Sequence, residues 1–400
     1  MKILPPIHYT GIQLKNSRLM AGITQQELSI RSNVSRSYIS KMEQCKRIPN
    51  SLNLEKLNQV LNQLNPEQPL YCLFDYVRIR LDTHDSAMVI EQLLGLKKDY
   101  MLYEDRGFYG YVAMYSFDTI KVMLSPDGDN KGTLIELSGQ GCRSFESFLT
   151  AQSCTWFDFF RKCKQADGHF TRLDIAINDR QGILSIETLL EKVMNSECVT
   201  RFKTCDFNGS RRFLTGESQG TTLYLGSKKG EVYFCFYQKN YEELRKKGVA
   251  LEDAKIINRY ELRFKNKRAE SVVADLLNRN RIDNTVFETI NHYLRFVDSD
   301  GTKRRTNLSE NKEWALFIGN YHGNLRLVTE PNEVFYEKSV NWWRKSIAPT
   351  TKMLLIIDDN LKTEVVNNMI DEATLNEKQK HIIRVLTTPI TDVLSVNQDG

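Results

Sequence analysis

What this chain of 400 residues lacks narrows it first. Histidine is scarce, six in all, and none falls in an H-x-H or H-E-x-x-H pattern, which argues against a histidine-rich metal site. The eight cysteines, at 45, 72, 142, 154, 163, 198, 205 and 235, include no C-x-x-C pair. Their scatter fits reduced thiols in a cytoplasm and argues against both a disulfide framework and a Cys-ligated zinc. No apolar run approaches the roughly 18–20 residues that cross a bilayer, and the first residues show no signal-peptide core, so membrane insertion is not expected. There is no low-complexity block. What remains is a globular composition, 41% hydrophobic and 26% charged, with length for two or three ordinary cores.

Net charge is +5, and its placement says more than its size. Residues 1–65 carry nine Lys/Arg against three Glu, whereas the rest holds 46 against 47. The excess therefore lies in the first domain, as expected where a phosphate backbone is bound. That domain reads as short helices. A first covers 12–21 and ends at Gly22. Thr24 and Glu27 make a capping box for a second, and Asn33 fits a tight turn. Ser35 caps a third, with Tyr38, Ile39 and Met42 inward; a basic loop, 46–49, precedes a Leu-rich helix.

The stretch ITQQELSIRSNVSRSYISKMEQCKRIPN closely resembles the helix-turn-helix of the phage-repressor (Xre-like) family. Cys45 departs from it, standing where the family usually has Gly. The resemblance implies duplex DNA binding, with Arg36, Ser37 and Lys41 facing the major groove, Gln25 on phosphate, and Lys46 and Arg47 in the adjoining basic loop. A helical module without DNA binding is the other reading.

A proline-punctuated linker, 65–69, leads to a second domain. Strands are expected at 75–81, 109–114, 120–124, 133–137, 170–177 and 260–264, with a hairpin over 221–238 turning at Ser227-Lys228-Lys229-Gly230. Helices are expected at 88–94, 145–163 and 186–194. Mixed elements without regular βαβ spacing predict an α+β fold: an all-α helix-turn-helix domain (1–66), then a mainly antiparallel sheet with flanking helices (70–350). Residues 284–350 hold Trp314, Trp342 and Trp343 and the basic loop Lys303-Arg304-Arg305. Residues 351–400 read as amphipathic helices with a disordered end.

Side chains alternate along a strand, so faces can be assigned. In TRLDIAIND, Leu173, Ile175 and Ile177 pack, and Arg172, Asp174 and Asn178 lie opposite. In NRYELRFK, Tyr260, Leu262 and Phe264 pack, and Arg259, Glu261 and Arg263 lie opposite. Glu136 opposes Ile135 and Leu137. The hairpin adds Tyr233 and Tyr237. If these strands are neighbours, one face carries Glu136, Asp174 and Glu261 with arginines and a tyrosine. Such carboxylates either pair with arginine across a solvated face or bind a hard cation, Mg²⁺ or Mn²⁺.

IELSGQGCRSFE (135–146), TRLDIAIND (171–179), TLYLGSKKGEVYFCFYQKNYEE (222–243) and RYELRFK (259–265) resemble, in order and form, motifs of the Rep-trans family of rolling-circle replication initiators and MOB-T relaxases. The resemblance implies nicking of one DNA strand by a tyrosine with a divalent metal. It points to Tyr237 as nucleophile with Tyr241 as runner-up, and to Asp174, Glu261 and Glu136 as metal ligands. Lys239, Arg259 or Arg263 would favour the phenolate, and Arg143 and Arg172 would contact DNA. The partners it implies are double-stranded origin DNA, single-stranded DNA at the nick, and a conjugation coupling protein or accessory DNA-binding proteins, in a bacterial cytoplasm, with the protein a monomer or dimer. Aromatics over 100–115 would stack unpaired bases or simply pack. A helix-turn-helix ahead of such a domain resembles relaxases of integrative and conjugative elements. A plasmid replication initiator, or a non-catalytic repressor with an accessory domain, are the alternatives.

Overall fold

The computed structural model describes residues 14–15, 18, 21, 23–44, 46–47, 51–64, 69–301, 304–320, 325, 327–329 and 343–395. The expectations for Gly22, Cys45, Lys303, Trp342, most of 12–21 and of the linker, and the final five residues lie outside these.

The N-terminal helices form as their caps dictate. Helix α1, Gln25–Ser32, starts at a complete Thr24/Glu27 capping box and stops at Asn33 in the left-handed region. Helix α2, Arg36–Glu43, starts at Ser35, whose side chain accepts from the Tyr38 N–H. With helix α3, Ser51–Leu64, they enclose a small core of Leu28, Val34, Ile39, Met42, Leu57 and Leu61. The Arg18–Glu43 ion pair (2.7 Å) braces it.

The second domain is built on ten antiparallel strands. In chain order they are β1 Leu70–Leu81, β2 Leu102–Glu104, β3 Ala113–Phe117, β4 Ile120–Leu124, β5 Thr133–Ser138, β6 His169–Asp179, β8 Cys205–Arg211, β9 Ser218–Leu225, β10 Val232–Gln238 and β11 Asn258–Lys265. Strands β7 Cys198–Thr200, β12 Leu294–Asp298 and β13 Ser309–Glu310 make a separate small sheet. The large sheet runs β2-β3-β4-β5-β1-β6-β11-β10-β9-β8.

Period-two patterning places one apolar face of this sheet against helices α4 Gln140–Ala151, α5 Trp156–Gln165, α6 Ile186–Met194 and α8 Asn266–Arg279. Phe74, Leu173, Ile175, Phe234, Phe236, Tyr260 and Leu262 are fully buried there. Tyr260 is core, as its parity predicts, with its hydroxyl donating to Asp179 (2.7 Å). The short helix α7, Lys239–Lys247, follows β10 directly.

Several boundaries differ from expectation. The single helix over 145–163 is two, because Ser153 turns left-handed between α4 and α5. The strand expected from 109 starts only at Ala113, since Tyr109 and Gly110 both have positive φ. Residues 88–93 form a π-helical turn. After helices at Ala348–Leu361, Val365–Asp371 and Glu377–Thr387, Ile390 and Val393 join the main core and Leu394 bridges to Leu96. Among the described residues no helix is long and apolar enough to cross a membrane.

Candidate active site

The strands β5-β1-β6-β11-β10 are successive neighbours, so the face opposite the core gathers the polar residues of all five. Register sets the rows. Arg263 pairs with Asp174 on one side and Tyr233 on the other; Arg259 pairs with Asn178 and Tyr237; Arg78 pairs with Glu136 and Arg172.

Strand β1 carries a bulge that strict alternation does not allow for. Phe74 pairs with Ile175 but Tyr76 with Asp174, leaving Asp75 as the extra residue. Core-facing positions shift from 70, 72 and 74 to 77, 79 and 81, and both Asp75 and Tyr76 reach the polar face. These two and Arg78 are site residues that motif matching missed. The signal was in the sequence: a change of apolar parity within LYCLFDYVRIRL.

The groups form one hydrogen-bonded array. Arg172 clamps Asp174 through two contacts (3.0 and 2.6 Å) and lies over the Tyr76 ring at 3.8 Å. Arg263 Nε sits 3.0 Å from Glu261 Oε2 and 3.7 Å from Asp174 Oδ2, and its Nη1 donates to Tyr233 (2.9 Å). Arg259 donates to Asn178 (2.7 Å) and reaches Asp75 (3.4 Å). Tyr237 Oη donates to Glu261 Oε1 at 2.9 Å. Asp174 and Glu261 are 3% and 4% exposed, so these are desolvated carboxylates held by guanidinium, where a bidentate pair is strongest.

Four expectations are corrected. First, the three carboxylates do not assemble as a metal trio. β1 and β6 stand between β5 and β11, which separates Glu136 from Glu261 by about 14 Å across the sheet at ordinary strand spacing, and the register sets Glu136 in the row of Lys265, four residues along β11 from Glu261. Glu136 instead accepts from Tyr76 and pairs with Lys121 (3.7 Å). Second, Arg143 is not on a DNA-facing surface. It sits on α4, donates to the Phe74 carbonyl and pairs with the fully buried Glu146 (2.9 Å). Third, Arg172 is committed to Asp174 rather than open to a backbone phosphate. Fourth, Tyr237 is no resting phenolate. Burial and the charge of Glu261 push its pKa up, outweighing Arg259. Lys239, whose own pKa burial lowers, is paired with Glu242.

In the first domain Arg36, Ser37 and Lys41 all lie exposed on α2. Lys46 and Arg47 are exposed too, Arg47 over the Tyr38 ring at 4.4 Å. Gln25 differs from expectation: its amide donates inward to Glu43 (2.8 Å). Tyr241 lies on α7 with its Cβ against Gly220 of β9.

Among the described residues no group of three or more His, Cys, Asp or Glu is close enough to hold a metal ion. The donor chemistry nonetheless fits a hard cation at Asp174 and Glu261, two carboxylates that Arg263 bridges. A cation entering there would take the place that Arg263 fills.

Burial pushes the Asp174 carboxyl up to about 6 despite Arg172. It therefore stays protonated in the fold between roughly pH 4 and 6, where the unfolded chain has ionised. Stability is expected to fall as pH rises through that window, by about 3 kcal/mol in all, and then level off. Denaturant unfolding at stepped pH checks this, and Asp174→Asn is expected to flatten the segment.

Comparison with known proteins agrees with this architecture. Residues 168–370 match Rep_trans, the replication initiation factor family. Residues 71–162 match the N-terminal domain of rolling circle replication initiation proteins, and 14–68 match a helix-turn-helix. The chain belongs to the Rep_trans family. It is 45% identical over 328 residues, 82% of its length and 93% of the relative's, to a Bacillus subtilis (strain 168) protein carrying the name DNA relaxase NicK. A solved structure of a rolling circle replication initiator protein from Geobacillus stearothermophilus superposes with a TM-score of 0.57 at 26% identity, covering 65% of this chain and 99% of that one.

Proposed function

We propose that this protein is a DNA relaxase that nicks one strand at an origin through a covalent tyrosyl intermediate, with Tyr237 as nucleophile. The observation that carries this is the Tyr237–Glu261 hydrogen bond, with Arg263 on the same carboxylate and Arg259 paired beside the tyrosine on the sheet face opposite the main core.

Tyr237 Oη attacks the scissile phosphorus, the P–O3′ bond breaks, and a 5′-phosphotyrosine forms. The phenol proton passes to Glu261, and the departing 3′-oxygen takes a proton to become a free hydroxyl. Because the resting phenol is poorly acidic, proton loss accompanies attack rather than preceding it. Arg259 and Arg263 stabilise charge on the non-bridging oxygens, and positioning supplies much of the rest. The phosphodiester energy is kept in the adduct, so a 3′-hydroxyl can reverse the step and close the strand. Asp174 and Glu261 would hold a Mg²⁺ or Mn²⁺ ion, whose chemistry there is neutralisation of phosphate charge.

The reading is tested with supercoiled plasmids carrying fragments of the DNA around its own gene. The expected product is an open circle with a polymerase-extendable 3′ end and protein on the 5′ end. A blocked 3′ end would overturn it. The likeness to a protein named as a DNA relaxase favours strand transfer, and the helix-turn-helix ahead of the nicking domain favours an integrative element as the setting. The initiator structure keeps plasmid replication as the second reading, with the same chemistry.

The helix-turn-helix supplies duplex affinity in this reading. Arg36→Ala or Lys41→Ala is expected to weaken binding about tenfold and to lower the salt slope by about one each, read by titration at several salt concentrations. Nicking of a short single strand should be unaffected.

A further inference from the structure

Strands β8 and β9 form a ribbon at the end of the sheet nearest Tyr237. β10 pairs with β9 only from Leu225 to Thr222, and Thr222 stands opposite Tyr237. Residues 218–221 and their β8 partners run on past the end of β10. The ribbon's root is anchored there. Thr221 N–H donates to the Gln238 side chain (2.8 Å), and Gly220 lies so close to Tyr241 that a Cβ would fall 2.8 Å from its Cβ.

Beyond the root the ribbon has no cover: residues 203–217 are exposed throughout. Its tip is an ordered turn, closed by Arg212 N–H to the Glu217 carbonyl (2.9 Å) and Gly216 N–H to the Arg212 carbonyl (2.8 Å). That turn displays Phe213 and Leu214 at 104% and 98% exposure, with Phe207 at 54% behind them. Burying such a side chain is worth about 1.5–3 kcal/mol, and an apolar edge strand invites aggregation. A hydrogen-bonded turn that holds two apolar side chains in water suits a partner.

Position identifies that partner. The ribbon springs from Thr222, opposite Tyr237, and the exposed Arg201 and Lys203 stand just before it. Within the ribbon Arg211 and Arg212 are balanced by Asp206 and Glu217, so it is neutral as a whole. A two-stranded ribbon fits a DNA groove, and apolar side chains at its tip suit insertion between base steps. We propose that the 205–225 ribbon is a strand-separating wedge, with Arg201 and Lys203 at its base toward the phosphates of the duplex beside the nick and Phe213–Leu214 in the base stack. It delivers an unpaired strand to Tyr237. This rests on the nicking reading above.

The test compares the intact chain with a Phe213→Ala/Leu214→Ala double variant, whose exposed positions leave folding undisturbed. In a Tyr237→Phe background, 2-aminopurine beside the scissile position reports unstacking without cleavage. Fluorescence is expected to rise with the wild-type tip and to lose most of that rise with the double variant. With Tyr237 present, the double variant is expected to nick origin duplex about 10–100-fold more slowly, since unstacking a step costs a few kcal/mol. A pre-melted single-stranded origin should be cut within about twofold of wild type. Undiminished unstacking, or an equal loss on single and double strands, overturns the wedge and points to a protein partner for the tip. If neither chain cuts any strand, the nicking reading fails, and the fluorescence arm still decides the wedge.

Discussion

Replacing Tyr237 with Phe is expected to abolish the covalent protein–DNA adduct and to lower nicking by about 10⁴-fold or more, the scale of losing a nucleophile. Duplex binding should be unchanged, because the exposed basic residues of α2 and of the following loop belong to a domain with its own core. Folding should survive. The ring stays in place, and the single hydrogen bond lost, to Glu261, is worth about 1 kcal/mol. Denaturing gels with 3′-labelled origin strand read the adduct directly. Full adduct yield from Tyr237→Phe would move the nucleophile to Tyr241 on α7, whose own substitution should otherwise leave the adduct intact.

The second large effect is expected at Glu261. Glu261→Gln keeps the shape and a carbonyl acceptor for the tyrosine hydroxyl, but it cannot take the proton and no longer neutralises Arg263. Nicking should fall about 10²–10³-fold, the usual range for a positioned base, while Kd for origin DNA changes little. The pH–rate profile separates roles. A proton acceptor gives a variant whose rate climbs with pH as solvent hydroxide substitutes. A residue acting only as a cation ligand gives a variant rescued by raised Mn²⁺. A purely structural role would show as loss of the folded state, since removing one member of a buried ion pair leaves the other uncompensated.

The site was partly legible along the chain because alternation is local. Leu173, Ile175 and Ile177 could be separated from Arg172, Asp174 and Asn178 without knowing what lay beside them, and the contacts agree with that division: the first three join the main core, and the others bond to polar side chains on the opposite face. The same holds for Tyr260 against Glu261. The caps at Thr24 and Ser35 were legible for a similar reason: each is a contact across three residues. What is paired with what was not legible, because partners on β5, β1, β6, β11 and β10 are separated by up to 184 residues, as at Asp75 and Arg259.

That difference divides what each level decided. The sequence by itself determined two domains, the placement of basic charge on the first, and two faces for each central strand of the second. Chain order and parity suffice for those. Only the tertiary structure decided that β1 and β6 separate Glu136 from Glu261, that an extra residue at Asp75 turns two successive side chains onto one face, and that Arg143 points inward. It also decided that Tyr237 rests as a phenol. Acidity depends on the summed burial and charge of every neighbouring strand, and no single stretch of chain contains that sum.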